Sequence, residues 1–416
     1  MKKALALILA LVMVLALTAC GSTGAASSTK KDDTAAEAET VKLGVCLIQS
    51  GDFAFALDYQ KPAIDMVINH YNANGGINGK QIEVVYADDQ GDSSLVPQRL
   101  SELKAAGVSA ICGPLFDTTA PAAAEWAAKN EVPVIVTCNA PTSITIDQFS
   151  DYIYVTGLCA WAEARVLEQF VIDKGIKSVY FINADGDVPA DIYNFFWEEI
   201  GQYAEVENKG LTVVGMTETD YTNIITAALN TGAECIAYPV NGGMYTAFQQ
   251  QADQLGAYEK TYMFGFGNID LGALQPFGAD YFPNSWGYCT TYLDEQGPMG
   301  DFTTEYLSLN SSGTYPNELS IHWYNAIAAA LEAIKAAGDD TSPANVAKQL
   351  PNVTWTTPDG ETGSFNTWDH LLAAPLNYAE AVYDEGMGFW VPKATVVDPD
   401  FIFYTQEEFE AYKANR

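Results

Sequence analysis

Positive charge is scarce in this 416-residue chain. Twenty lysines and arginines face 53 aspartates and glutamates, and only Arg99, Arg165 and Arg416 are arginine. Phosphate backbones are bound by clustered Lys and Arg, so nucleic acid is excluded as a partner. Histidine is as sparse: His70, His322 and His370 are the full set. None of them belongs to a His-x-x-x-His pair, and with no Cys-x-x-Cys spacing the sequence offers no metal site. Gly-x-Gly-x-x-Gly, P-loop and Gly-x-Ser-x-Gly patterns are also missing, which removes the usual nucleotide and hydrolase signatures. An enzyme is therefore not expected, and no cofactor is implied. The apolar stretch from Ala4 to Leu17 is too short to span a bilayer comfortably.

What is present begins at the N-terminus. Met1-Lys2-Lys3 precedes an apolar stretch from Ala4 to Leu17, and Leu17-Thr18-Ala19-Cys20 follows, the layout of a secretory signal cut before a cysteine. The Leu-x-Ala-Cys spacing resembles the bacterial lipobox, which implies a lipid on Cys20 and a place on the outer face of a membrane. Removing residues 1–19 takes away Lys2 and Lys3 and no acid, so the net charge moves from −33 to −35. Residues 20–40 lack apolar periodicity and read as a flexible tether. The acidity itself reads as solubility of an exposed protein. Cys46, Cys112, Cys138 and Cys235 sit in or beside apolar runs, where thiols behave as small buried hydrophobes rather than disulfide halves.

From Val41 onward, short apolar runs alternate with helical stretches. Strands are expected at 41–48, 81–87, 108–112, 132–137, 152–156, 178–183, 211–215, 235–239, 261–266 and 285–290. Several are apolar on both faces, as buried parallel strands require. Between them, Ile64, Val67, Ile68 and Tyr71 form the i, i+3, i+4, i+7 stripe of a helix on a sheet. The pattern predicts an α/β fold of two doubly wound lobes, because about 375 residues exceed one comfortable core. The first lobe is expected over 41–156 plus about 287–376, the second over 157–286 plus about 377–398. Residues 378–391 read as a hairpin turning at Asp384 to Gly388. Residues 399–416 read as a surface tail opened by a Thr405-x-x-Glu408 capping box.

Ligands bind beyond the carboxyl ends of strands in open parallel sheets. Strand after strand here ends in polar or small residues, "ADDQGDS", "CGPLFDTT", "TCNAPTS", "INADGD", "YPVNGG" and "GFGNID" among them. Asp92 or Ser93 is expected to cap the helix that follows the first of these. For Asp88 and Asp89, bonds to neighbouring loop backbone are favoured over ligand contact, and the alternating acids of a calcium loop are missing.

The succession "GVCLIQSGDFA", "NANGGINGKQIEVVYADDQGDS", "AGVSAICGPLFDTTAPAAAEWAAKNEVPVIVT" and "YVTGL" resembles the extracytoplasmic solute-binding proteins of ATP-driven (ABC) importers, of the leucine/isoleucine/valine-binding type. The resemblance spans about Val41 to Trp390. It implies a type I periplasmic-binding-protein-like architecture with a three-segment hinge, closing as a monomer on one small molecule that it delivers to the membrane subunits of a permease. It implies that Gly75, Gly76 and Gly79 serve a tight left-handed turn. It also places Phe53 and Phe55, Asp117 with Thr118, Cys138, Asn139 and Ala140 on the ligand-facing loops of the first lobe. Trp161, Asp187, Val188 and Asn241 fall on those of the second, and Gly267 and Asn268 stand where an acid usually meets an ammonium. Each has a plainer reading. Phe53 and Phe55 can pack their own loop, Trp161 can be core, Asn139 and Asn241 can satisfy turns, and Asp117 can cap a helix. Arg165 fits an ion pair inside its lobe better than an anion clamp.

If lipid on Cys20 holds the protein to the membrane, Cys20→Ala leaves unprocessed precursor or releases protein into the medium. Fractionation showing the variant as firmly membrane-bound as its parent rules the anchor out.

Overall fold

Parallel strands buried on both faces decide the architecture. The computed structural model describes residues 40–137, 139–215, 217–240, 244–280, 283–374 and 376–415, so Cys20 with its tether, Cys138 and Asn241 lie outside the described residues. The chain opens with β1 (Thr40–Leu47), α1 (Leu57–Ala73), β2 (Gln81–Asp88), α2 (Val96–Ala105), β3 (Ile111–Cys112), α3 (Ala120–Asn130), β4 (Val134–Val136), α4 (Thr142–Ile146) and β5 (Ile153–Val155). Their strands form one parallel sheet in the order β2-β1-β3-β4-β5. Within β1, Leu43, Val45 and Leu47 pack on one side of the sheet while Cys46 packs on the other, the two-residue alternation of a strand with a core on both faces.

Next come α5 (Ala160–Lys174), β6 (Ser178–Ala184), α6 (Asp187–Glu199), β7 (Glu207–Val214), α7 (Thr222–Asn230), β8 (Cys235–Tyr238), α8 (Met244–Gln254), β9 (Tyr262–Gly265), α9 (Leu271–Leu274) and β10 (Ser285–Cys289). The chain then returns to the first lobe with α10 (Pro298–Leu309), α11 (Glu318–Ala336), α12 (Pro343–Gln349) and the two-residue strands β11 (Trp355–Thr356) and β12 (Thr362–Gly363). Helix α11 lies along α1, and Trp323, Ile327 and Leu331 are buried there with Leu43 and Ile64. The chain finishes with the hairpin β13 (Asn377–Asp384) and β14 (Phe389–Val396), then α13 (Pro399–Ile402) and α14 (Gln406–Asn415). The second sheet runs β14-β13-β10-β9-β8-β6-β7, antiparallel in its hairpin and parallel elsewhere.

The chain crosses between lobes three times: between Val155 and Ala160, between Cys289 and Pro298, and between Leu372 and Asn377. Two of the crossings are laced together. Val155 donates to His370 O (3.1 Å) and accepts from Leu372 N (2.9 Å). The Thr156 hydroxyl donates to His322 O over 3.0 Å, tying the first crossing to α11.

Several expectations change in detail. The second lobe extends to Cys289, past the expected break at 286, because β10 pairs with both β9 and β13. The tail is no surface appendage. Ile402 and Phe409 are fully buried, and Tyr404 and Phe409 pack 5.4 and 6.0 Å from the Trp161 ring. Apolar burial stabilises that docking by about 1.5–3 kcal/mol per large side chain. The Thr405–Glu408 box forms as read, but Asp92 caps no helix. Its carboxylate accepts from Ser94 N (2.8 Å) in a turn ahead of α2, whose cap residue Leu95 makes no side-chain bond. Asp88 accepts from Gln49 N (2.9 Å), Gln90 N (3.1 Å) and the Ser50 hydroxyl (2.5 Å), so it stitches the β1 and β2 loops. At Gly76 (φ 76°) a Cβ would lie 1.9 Å from Lys80 O, so the turn admits no side chain. Cys46, Cys112, Cys159, Cys235 and Cys289 are free and buried.

Replacing Phe409 by alanine empties the pocket against Trp161 and removes about 3 kcal/mol of stability. Urea unfolding of the variant checks this; an unchanged midpoint shows that the C-terminal helix contributes nothing.

Candidate ligand-binding site

Loops from the carboxyl ends of both sheets meet at the lobe junction. Thr142 N at the start of α4 donates to Asp191 of α6 over 3.2 Å, a direct contact between lobes. On the first-lobe side, the Phe53 ring meets Phe116 edge-on at 4.8 Å. Phe53 and Phe55 stay 43% and 57% exposed, so the apolar surface they offer is available to a ligand. Asp117 follows Phe116. Its carboxylate accepts from Thr118 N (2.8 Å), and the cap residue of α3 is Thr119, with no side-chain bond. Asp117 therefore caps nothing. Burial, then the facing Asp187 across the junction, hold its carboxyl above the ordinary aspartate value. Thr118 is exposed beside it, and Asp187 is exposed at the start of α6.

Deeper in, four side chains from both lobes converge. Glu163, in the first turn of α5, is 2% exposed. Its Oε1 accepts from Asn139 Nδ2 at 3.1 Å, and the same amide lies 3.2 Å from the Tyr288 hydroxyl. Tyr288 closes the group by donating to Glu318, the first residue of α11. Asn139 is fixed from behind, since its Oδ1 accepts from Leu158 N (3.0 Å). Glu163 Oε2 is buried with no hydrogen-bond partner. Burial pushes the Glu163 carboxyl well above the glutamate range, with Glu318 and Asp117 adding to the effect. Burial likewise raises Glu318 to about 7, with nearby Asp270 contributing while the Tyr288 hydrogen bond works against it. A carboxyl out of water with no cation beside it resists ionisation, and a helix N-terminus offsets only about 0.3–1 kcal/mol of that.

Asp270 anchors the same corner. Fully buried, it accepts from Thr290 N (2.8 Å), Thr291 N (2.7 Å) and Glu318 N (3.1 Å), which ties β10 to the start of α11. Burial raises it to about 6 even so. Gly267, at φ 78°, lets Glu318 in: a Cβ there would sit 2.8 Å from Glu318 Oε1 and 3.2 Å from the Tyr288 hydroxyl.

The sequence-derived site separates accordingly. Phe53, Phe55, Asp117, Thr118, Asn139 and Asp187 come to the junction. Ala140 does not offer its amide, because that N–H donates to Leu158 O (2.7 Å). Trp161 is 1% exposed and belongs to the core formed with Phe195 and the C-terminal segment. Val188 is buried in the same core. Asn268 is 4% exposed, donates to the Tyr238 hydroxyl (2.9 Å) and fills the space over Gly265 and Gly287, away from the acids. Glu318, from elsewhere in the chain, comes to lie beside Gly267 of "GFGN". Sequence reading also passed over Phe116, Glu163 and Tyr288. Tyr288 ends a strand and Glu163 opens a helix after one, so the strand-end rule carries a signal for both. Among the described residues no group of three His, Cys, Asp or Glu is arranged to hold a metal ion.

The model of the family described as "Periplasmic binding protein" matches residues 40–386. The chain belongs to the periplasmic binding protein family. Its two-lobe α/β fold is shared with solved relatives. A leucine-, isoleucine-, valine-, threonine- and alanine-binding protein of Brucella ovis, in its closed conformation, superposes with a TM-score of 0.77 at 18% identity, over 88% of this chain and 97% of that one. A solute-binding protein of an ABC transporter from Rhodopseudomonas palustris BisB5, in complex with 3,4-dihydroxybenzoic acid, gives 0.75 at 20% identity, over 86% and 98%. At such identities the likeness is one of fold. A chemotactic signal transduction system substrate-binding protein of Halobacterium salinarum is 30% identical over 149 residues, 33% of this periplasmic binding protein and 36% of that one. This chain thus spans about a third of the length of that curated relative.

In this periplasmic binding protein Gly267→Ala strains a left-handed position by about 1–2 kcal/mol and pushes Glu318 off Tyr288. A lowered melting temperature with weakened ligand binding is expected; a variant with parental binding shows that Glu318 is not seated at Gly267.

Proposed function

We propose that this protein is a lipid-anchored, extracytoplasmic receptor that captures one small solute between its lobes and hands it to an ABC-type import permease. The ligand bridges loops of both lobes, and its contacts with the second lobe favour the closed arrangement. No chemistry of the protein's own is needed. The observation that carries the reading is the convergence of Asp117 and Asn139 from one lobe with Asp187, Glu163 and Tyr288 from the other. Loops 48–56, 113–119, 137–142, 157–163, 185–188, 239–243 and 266–270 contain no Lys, Arg or His. A carboxylate ligand such as the dihydroxybenzoate of the Rhodopseudomonas relative therefore has no side-chain cation to meet, and a buried unpaired charge costs several kcal/mol. The set of acids, Asn139 and exposed Phe53 and Phe55 suits a neutral polar or cationic head joined to an apolar or aromatic part.

A second reading, a membrane-tethered receptor that reports to a sensor, draws on the name of the Halobacterium relative. It uses the same cleft and differs only in the partner. Permease and ATPase genes beside this one favour import; a neighbouring receptor gene favours sensing.

A thermal-shift screen over amino acids, amides, amines and aromatic acids tests the ligand class. Leucine, isoleucine, valine and benzoate are expected to leave the melting temperature unchanged. Asp117→Asn is expected to weaken the ligand that does bind by more than about tenfold where it carries an N–H donor. Micromolar binding of a branched-chain amino acid, indifferent to Asp117→Asn, overturns the reading.

A further inference from the structure

A second cavity sits at the hinge itself. Thr156 of the first crossing, Thr290 of the second, and Leu372 and Asn377 of the third line it, together with His322 and Asn325 of α11. Phe53, Asp117, Glu163, Tyr288 and Glu318 take no part in it. Its walls are mainly apolar, with Met299, Ile321 and Leu376 among them, yet two polar side chains in those walls are left incomplete. His322 is 3% exposed and neither ring nitrogen has a hydrogen-bond partner; Asn377 is 7% exposed and its Oδ1 has none. A buried polar atom is costly unless paired, so two of them on one cavity call for a guest that brings hydrogen bonds. Ile321, Asp359 and Ala374 in the lining keep partial exposure, which gives a solute a way in.

The walls also limit what that guest is. Asn377 Oδ1 can only accept, whereas a neutral imidazole has one N–H to give and one lone pair. Burial holds His322 neutral, down to about 4, with the Thr137 backbone opposing. A hydroxyl meets both side chains at once, because it donates to Asn377 Oδ1 and accepts from the protonated ring nitrogen of His322. A primary amide brings more polar positions than these walls answer. Charged guests fare worse: no Lys or Arg stands among the described lining residues, and Asp359, the one charged residue there, already accepts from the Thr357 hydroxyl. An anion therefore finds no counter-charge, and a cation gives up water for mainly apolar walls. The cavity encloses about 40 Å³, room for about three waters or for one molecule of about three or four non-hydrogen atoms. We propose that the hinge carries a second ligand site, which takes a short-chain alcohol with its hydroxyl between His322 and Asn377 and its alkyl part against Met299, Ile321 and Leu376. Water offers the same hydroxyl, but only the alcohol buries apolar surface against those walls. Helix α11 packs in the first lobe and Asn377 opens the hairpin of the second, so the guest bridges the lobes at their crossings.

Ligand-observed NMR on the full chain tests the site with 2-propanol, acetone and acetate, which share a shape and differ in head group. The methyl signal of 2-propanol is expected to broaden saturably with a Kd in the millimolar range, as so small a guest allows. Acetone should bind about tenfold more weakly, because it leaves Asn377 unmet, and acetate should not bind. Hydrogen exchange places the guest: 2-propanol slows exchange in peptides covering 155–160 and 372–377 and leaves loops 48–56 and 113–119 unchanged. His322→Phe and Asn377→Leu each keep the wall and remove the polar atom, so each should weaken 2-propanol by about tenfold or more. Should one variant not fold, the other carries the test. Equal binding of acetone and 2-propanol overturns the hydroxyl assignment, and protection at the cleft loops instead of the crossings overturns the hinge site. No saturable broadening shows that the cavity holds water alone and overturns the proposal outright. Each of these outcomes leaves solute capture in the cleft untouched.

Discussion

A carboxyl group removed from water must either find donors or stay protonated, and at the lobe junction this protein solves the problem in two ways. Asp270 finds donors: three backbone N–H groups, from Thr290, Thr291 and Glu318, point at its oxygens. Glu163 is offered one amide from Asn139 and has an oxygen left over. The contrast separates their roles. Asp270 is spent on architecture, since its bonds fix where α11 begins relative to β10. Glu163 is left incomplete, and an incomplete buried polar group is costly unless something else completes it. The glycine at 267 leaves room for Glu318 beside Tyr288, and Asn139 is fixed by Leu158 N with its amide turned to Glu163.

Helix α5 connects that corner to the rest of the molecule. Successive residues of a helix turn by about 100°, so positions four apart share a face and positions two apart do not. Trp161 and Arg165 accordingly lie on one face, where the C-terminal segment packs: Trp161 against Tyr404 and Phe409, Arg165 in a 2.7 Å ion pair with Glu199 and a 3.1 Å bond to Phe401 O. Glu163, between them in sequence, faces the junction. The C-terminal segment therefore holds the back of the helix whose front carries a site residue. Residues 399–415 lie beyond the stretch matched by the family model.

Much of this was legible in the sequence, and the division has a physical cause. The inner strands announce themselves because a parallel strand buried on both faces leaves an apolar run such as "SVYFIN", and the hairpin announces itself through its turn at Asp384 to Gly388. Phe53, Asp117 and Asn139, placed by the family resemblance on loops after strands, lie on such loops in the structure. Glu318 was invisible by that rule. It sits on a helix that follows no strand of its own lobe and reaches the site only because the chain crosses back between lobes. Asn268 and Trp161 failed in the opposite sense: each occupies a loop or helix start in the right place, but the side chain turns into its own lobe, toward Tyr238 for one and Phe195 for the other. Position along the chain locates a loop at the cleft. It does not say which way one side chain in that loop faces, because that depends on what the neighbouring element leaves unfilled.

The same separation explains how one fold serves unlike ligands. A solved relative shares this architecture over most of its length at 18% identity, which is possible because the cores need apolar residues of suitable volume and alternation more than particular ones. Exposed side chains on the strand-end loops carry less of that burden, as where Asp88 bonds to Gln49 and Gln90. Exchanging a few residues at strand ends therefore changes the charge of the cleft without touching the sheets. In this chain Asp117, Glu163 and Asp187 stand at strand ends whose loops contain no Lys, Arg or His, and Glu318 reaches the same corner beside Gly267.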